Sequence, residues 1–410
     1  MVTTSYPRFP GDGVGSFVEP IAKGIAARGH DVHLVAPWHP SITRGKTEDG
    51  VHFHFFRYAP IASLNIFGYA ESMQADTALR GAAWAVAPAA MAAGWFKALR
   101  VAQKRRADVM HAHWVIPGGV MAAYAAGARP LVVSLHGSDV FVAERSAIAR
   151  AAARAAFRRA GWITACSDDL RDRAVAIGAD PARLEVVPYG VDFTRFSPDP
   201  EARLAVRREL GLDEAPVVFS AGRLVSKKGF EYLIDAAGQL AARQPSLRVL
   251  IAGDGDLRDA LAARAARVAP GAVMLLGRRA QDDIARFAAA ADVVAVPSVV
   301  DAAGNVDGLP NVALEALATG TPVVASRVGG LPSAIEDGVT GRLVPPGDPA
   351  ALAQAIQDLL ANPLAARAMG EAARTRTIHE HGWPHVVERF EAAYERAALA
   401  EQRHQGRRQQ

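Results

Sequence analysis

The chain has 410 residues, 50% of them hydrophobic and 21% charged, with 46 Lys+Arg against 42 Asp+Glu, which is more than one ordinary core holds and points to two or three globular domains. A single cysteine, Cys166, excludes an internal disulfide framework, and basic and aromatic residues are not interleaved as a nucleic-acid surface requires. The most apolar long run, residues 81–96, carries Pro88 and falls short of the about 20 residues of a membrane span, and no basic-then-apolar leader opens the sequence, so a cytoplasmic protein is expected.

In chain order, residues 2–4 read as the end of a first strand, followed by a loop in which Gly11, Gly13 and Gly15 alternate. A helix over 16–28 stops at Gly29 and a strand follows over 32–36. Strand, Gly-rich turn, helix and strand form the phosphate-binding half of a doubly wound sheet. The Ala-rich region 60–107 reads as helical, and Trp84, Trp95 and Phe96 on its apolar stripe are expected in the core. Residues 108–113 are the next strand, ending in His111, His113 and Trp114; no carboxylate or third ligand accompanies the two histidines, so no metal site is expected. The near-continuous apolar run 131–135 suits a strand buried on both faces. It ends in His136-Gly137-Ser138-Asp139, and ligands in such sheets gather beyond the carboxyl ends of the strands. Residues 162–167 are a further strand with Cys166 as a small buried residue at its end. Pro198, Asp199 and Pro200 have the composition of a linker, so one domain spans 1–197 and a second 198–379.

The second domain opens with a strand over 217–221, then Gly222-Arg223-Leu224-Val225-Ser226-Lys227-Lys228-Gly229 and a helix from Phe230. A planar fork from Arg223 and a point charge from Lys228 can converge on one pyrophosphate. Strands over 247–252, 273–276 and 292–297 precede Asp307-Gly-Leu-Pro-Asn-Val-Ala-Leu-Glu315. This stretch reads as an acidic turn, a helix with Pro310 in its first turn, a stop at Gly320 and a strand over 322–326. A helix N-terminus offers free N–H groups and a partial positive charge that suit a pyrophosphate. Asp307 and Glu315 stand about 12 Å apart along the axis, a span a nucleotide sugar can cover. Residues 338–346 close the sheet, and Asp348 caps a helix from Pro349. An amphipathic helix from Trp383 sets Trp383, Val387, Phe390 and Tyr394 on one side, and residues 401–410 have the composition of a disordered tail.

Around Asp307 the sequence resembles retaining glycosyltransferase family 4, whose fold is called GT-B. The family carries Glu, seven residues, Glu, an Ala-rich helix and Gly-x-Pro-Val-Val-Ala-Ser; Asp307 stands at the first Glu and Glu315 at the second. The resemblance runs over about residues 2–398. It includes His136-Gly-x-Asp139, Pro188-x-Gly-Val-Asp192 with Phe196-Ser-Pro198, the Arg223 to Lys228 loop and Gly329-Gly330. Ser333 replaces a common Glu, and the glycines of the first loop alternate where the family pairs them.

The resemblance implies an α/β GT-B protein: two doubly wound Rossmann-like domains facing across a cleft, with a last helix over 380–400 crossing back to the first. It implies transfer of a sugar from a nucleotide-sugar donor to an acceptor hydroxyl with retention, in cell-surface polysaccharide or glycolipid biosynthesis. His136, Asp307, Arg223 and Lys228 are then the catalytic candidates. His136 and Asp307 would contact the donor sugar and Glu315 the ribose hydroxyls. Gly13 and Gly15 would approach the donor phosphates and sugar. Arg278 would lie at the base, and Leu309, Asn311 and Val312 at the phosphates. The departing pyrophosphate would take the acceptor's proton on the same face, with no metal and no cofactor. A sugar-nucleotide epimerase, or a catalytically silent nucleotide-binding subunit with Asp307 as its warrant, remain alternatives. Residues 1–195 hold 22 Lys+Arg against 16 Asp+Glu, net +6, concentrated at 97–106 and 145–159. Solvated helix faces explain such stretches, as does attraction to a lipid-linked acceptor or an anionic membrane at the inner face of the cell membrane.

Overall fold

The computed structural model describes residues 1–69, 73–74, 78–79, 81–212 and 214–408. Contacts divide the chain into two units, Met1–Pro188 with Trp383–Gln410, and Tyr189–Gly382.

The first unit is built on parallel strands β1 (Val32–Pro37), β2 (Val51–Phe56), β3 (Met110–His113), β4 (Leu131–Leu135), β5 (Trp162–Ala165) and β6 (Leu184–Val186). The strand expected at 2–4 contracts to Val2, which bridges Val35 on one side and Ala112 on the other. With Val2 included, the order across the sheet is β2, β1, Val2, β3, β4, β5, β6, so the winding reverses at Val2 and β3. That reversal places the loop after Val2 and the turn after β3 side by side at the carboxyl ends of the strands.

Helix α1 (Val18–Ala27) follows the Gly-containing loop and buries Val18, Ile21 and Ile25 with Leu34 and Val51 of the sheet and Val387 and Phe390 of the C-terminal helix Trp383–Arg408. Each such side chain contributes about 1.5–3 kcal/mol when fully buried. The two helices approach closely because residue 24 is glycine: a Cβ there would lie 2.4 Å from Val387 Cγ2. Helix α2 (Gly81–Lys104) covers another part of the sheet through small residues at four-residue spacing, Ala90, Gly94, Ala98 and Ala102. This corrects the expected core stripe. Trp95 is 40% and Phe96 55% exposed, because the seam against the sheet is the Ala/Gly face and the aromatics fall off it. The side chain of Trp84 lies outside the described residues.

The second unit is a six-stranded parallel sheet of β7 (Val217–Ala221), β8 (Arg248–Ala252), β9 (Val273–Gly277), β10 (Val293–Val296), β11 (Val323–Ser326) and β12 (Arg342–Val344). Its order is β9, β8, β7, β10, β11, β12, again doubly wound, with the reversal between β7 and β10. The central strands are apolar because helices cover both faces.

The division between the units falls at Pro188/Tyr189 rather than after residue 197. Residues 189–198 pack with the second unit: Val191 bridges Gly382, and Arg374 donates to the Phe196 carbonyl at 3.2 Å. The Pro-Asp-Pro composition read as a linker is a helix start, with Asp199 accepting from Ala202 N–H at 2.8 Å ahead of helix Pro200–Glu209. The expected disordered tail is likewise corrected, since the C-terminal helix runs on to Arg408; Gln409 and Gln410 lie outside the described residues.

Candidate active site

In the second unit the loops after β7 and β10 meet at the switch point. Gly229, with φ +64°, makes that meeting possible, because a Cβ there would lie 2.0 Å from the Pro297 carbonyl oxygen. The β10 loop carries Asp307 inward, and its backbone is pressed by Gly329, whose Cβ would lie 2.3 Å from the Asp307 carbonyl oxygen. Asp307 is 8% exposed. Lys228 Nζ lies 2.8 Å from Oδ2 and Lys227 Nζ 3.4 Å from Oδ1, while the Ser298 hydroxyl donates to Oδ2 at 3.1 Å. Burial pushes the Asp307 pKa up, but Lys228 and Lys227 outweigh it and hold the carboxyl below its ordinary value. Two ammonium groups facing one carboxylate leave the pocket with a net positive charge, which suits a diphosphate. Arg223 opens the same loop and is exposed.

Helix α5 (Asn311–Thr319) begins one residue later than expected, so Pro310 is its N-cap and not its first helical residue. Proline has no side chain able to cap, and its carbonyl takes Ala313 N–H at 3.0 Å. The first-turn amides of Asn311 and Val312 are therefore left uncapped by it, with Leu309 buried just before. Glu315, one turn in and partly buried, bonds the Gln281 side chain. Burial pushes its pKa up to about 7 against the opposing pull of Gln281, Lys228 and Arg195. Arg278, expected at the base, stands exposed past the edge strand β9, two strands from β7.

In the first unit the loop before α1 is braced from within. Arg8 Nε pairs with Asp12 Oδ2 at 2.7 Å, and Asp12 also accepts from the Arg8 and Val14 amides. Gly15, with φ +67°, seats against Ser5, whereas Gly13 has open space around it. His136 follows β4 and is held by Asp139, which is 2% exposed and accepts from the amides of Val115 at 2.7 Å, Gly137 at 3.0 Å and His136 at 3.3 Å. Three rings surround the imidazole: Phe17 at 4.5 Å, Trp114 at 4.8 Å and His113 at 5.3 Å between centroids. His136 Nε2 lies 3.1 Å from His113 Nδ1. Burial, then the neighbouring His113, pushes the His136 pKa well below the usual histidine value, so the ring is uncharged at pH 7. Trp114 sits at φ +62°, a conformation a bulky residue adopts only when its surroundings enforce it.

The structure thus gathers Asp307 and Lys228 in one cluster with the start of α5 and Glu315 beside it, and sets His136 and Gly15 in the corresponding place of the other unit. Lys227, Ser298, Gln281, Arg8, Asp12, His113 and Trp114 were not singled out for this role by sequence reasoning. For Lys227 and His113 the signal was present, a second lysine in the β7 loop and a second imidazole at the end of β3. Among the described residues no group of three or more His, Cys, Asp and Glu side chains could hold a metal ion, and no helix is long and apolar enough to cross a membrane.

The family model described as Glycosyltransferase Family 4 matches residues 11–195, and that described as Glycosyl transferases group 1 matches residues 215–362. The GDP-mannose-dependent alpha-(1-6)-phosphatidylinositol monomannoside mannosyltransferase of Mycolicibacterium smegmatis is 40% identical over 261 residues, 63% of this chain and 68% of that protein. A GDP-mannose-dependent monoacylated alpha-(1-6)-phosphatidylinositol monomannoside mannosyltransferase of Corynebacterium glutamicum is 35% identical over 273 residues, 65% of this chain and 70% of that protein. Among solved structures, Anabaena HepE in complex with UDP superposes with a TM-score of 0.77 at 22% identity, covering 96% of this chain and 98% of that one. Sucrose-phosphate synthase from Thermosynechococcus elongatus gives 0.75 at 22% identity, covering 97% and 99%. The fold is GT-B, and the chain belongs to glycosyltransferase family 4.

Proposed function

We propose that this glycosyltransferase takes a hexose from GDP-mannose or a similar nucleoside diphosphate sugar and passes it, with retention, to a hydroxyl of an anionic glycolipid at a membrane surface. The observation that carries the reading is the net-positive Asp307–Lys227–Lys228 cluster beside the uncapped start of α5. The glycosidic C–O bond to the diphosphate breaks, the diphosphate leaves with the bonding pair, and the acceptor oxygen bonds the same face of the anomeric carbon. Its proton passes to a departing phosphate oxygen. Lys228, Arg223 and the helix N-terminus stabilise the charge growing on that leaving group. His136, uncharged, serves as a hydrogen-bond partner of the sugar and not as a proton source. Asp307, released from Lys228 by the incoming phosphates, turns to a sugar hydroxyl.

The relatives named for GDP-mannose and for phosphatidylinositol mannosides support the donor and the acceptor class. Exposed Trp95 and Phe96 on α2, with exposed Arg100, Lys104, Arg105 and Arg106 nearby, support membrane attachment. Each cation near an anionic leaflet contributes about 1 kcal/mol, screened by salt. A panel of nucleotide sugars with phosphatidylinositol-containing vesicles, read by release of free nucleoside diphosphate, tests the reading. Release from GDP-mannose that depends on the vesicles supports it. A rearranged sugar nucleotide without release, or binding without turnover of any donor, overturns it.

A further inference from the structure

We propose that His113 is a positioning residue that sets the tautomer of His136, placing the His136 proton on Nδ1. His113 lies at the carboxyl end of β3, 0% exposed, with its ring stacked on His136 at an interplanar angle of 17°. Its Nδ1 is 3.1 Å from His136 Nε2, and its own Nε2 is buried with no hydrogen-bond partner among the described residues. Burial pushes the His113 pKa down to about 3, so both rings are neutral at pH 7 and each carries one proton.

Two arrangements satisfy the contact. If His136 donates from Nε2, His113 must carry its proton on Nε2, a buried N–H with no acceptor. If His113 donates from Nδ1, the atom left over is a lone pair. Stranding a donor is the rarer and costlier outcome in protein interiors, so the second arrangement is preferred. His136 then accepts at Nε2 and must hold its own proton on Nδ1. The second nitrogen of a histidine decides what the first can do, as in metal sites and proton relays.

The kinetic consequence rests on the reading that His136 contacts the donor sugar. The structural consequence does not. Nitrogen-15 NMR of the histidine-labelled full chain reports each tautomer directly. The expected spectrum has His136 as the Nδ1–H form in the wild type. It stays so in His113→Asn, whose amide N–H replaces the donor near Nδ1, and shifts toward the Nε2–H form in His113→Leu. In the same preparations turnover falls about tenfold in His113→Leu with the donor KM within about twofold, and recovers to within about threefold in His113→Asn, the size expected for misorienting one hydrogen-bonding group. His136 found as the Nε2–H form in the wild type overturns the inference, and that measurement suffices should His113→Leu fail to fold. An unchanged tautomer in a folded His113→Leu also overturns it. If His136→Ala keeps full turnover, the sugar contact fails and the kinetic half falls with it, while the spectrum still decides whether His113 orients the ring.

Discussion

The two units share one architecture and place their loops at the same kind of switch point, yet the clusters there are opposite in character. In the second unit the buried Asp307 carboxylate faces two half-buried ammonium groups, Lys228 at 2.8 Å and Lys227 at 3.4 Å. In the first, His136 is packed among Phe17, Trp114 and His113 and is held neutral. A charged pocket recognises a charged leaving group. An uncharged, aromatic-lined one suits a sugar, whose ring offers C–H faces and hydroxyls. The same winding therefore supports anion binding or neutral recognition, depending on which side chains the loops carry.

The largest effect that tests this contrast is expected from Lys228→Ala. Removing a preorganised cation from a leaving group costs about 10²–10³-fold in turnover. Steady-state kinetics should show that loss in kcat, with a smaller rise in KM; normal turnover with weakened binding alone would end the leaving-group role of Lys228.

Next in size, Glu315→Ala should weaken binding of the free nucleoside diphosphate about tenfold to a hundredfold, from charge-assisted bonds of about 1.5–3 kcal/mol each. Asp307→Ala should weaken it less, because Asp307 competes with the phosphates for Lys228. Calorimetric titration of both variants decides this, and an unchanged affinity in Glu315→Ala removes the ribose assignment.

A smaller effect separates the units by pH. His111, His113 and His136 have folded pKa values depressed by burial below the unfolded value of about 6.5. The unfolded chain then binds more protons below that pH, so this part of the stability is present above about 6.5 and is lost as pH falls. Glu315 runs the other way. Its folded pKa of about 7 exceeds the unfolded 4.5, so its contribution is full below 4.5 and is lost as pH rises toward 7. Between pH 7 and 5, hydrogen exchange should accelerate in β3 and β4 but not in α5. Diphosphate affinity should rise with pH through about 7, and Glu315→Gln should flatten that rise. Equal acceleration in both units would break the comparison.

The smallest expected effect is on stability in Phe96→Ser, within about 0.5 kcal/mol because the ring is exposed. Salt-sensitive sedimentation with anionic vesicles should nevertheless weaken in that variant; retention equal to the wild type would count against membrane attachment through α2.

What the sequence determined by itself was local in origin. The apolar runs 131–135 and 217–221 are strands with those bounds, the helix after Gly229 starts at Phe230, and Asp348 caps the helix from Pro349 by accepting from the Ala350 and Ala351 amides. Each follows from periodicity, turn chemistry or capping within a few residues. The Asp307 to Glu315 spacing was legible only in part, because helix geometry governs Asn311–Thr319, which carries Glu315, whereas Asp307 lies in the loop before it. Tertiary structure alone decided the rest. Lys227 joins Asp307 only because the β7 and β10 loops meet through Gly229. His113 reaches His136 only because β3 and β4 are neighbours in register, with His113 opposite Ser134. Trp95 and Phe96 are outside the core because a seam of Ala and Gly brings α2 closer to the sheet than bulky rings allow. Pairing between segments far apart in sequence leaves no local trace in composition or spacing, and it is this pairing that turns two similar sheets into a charged site and a neutral one.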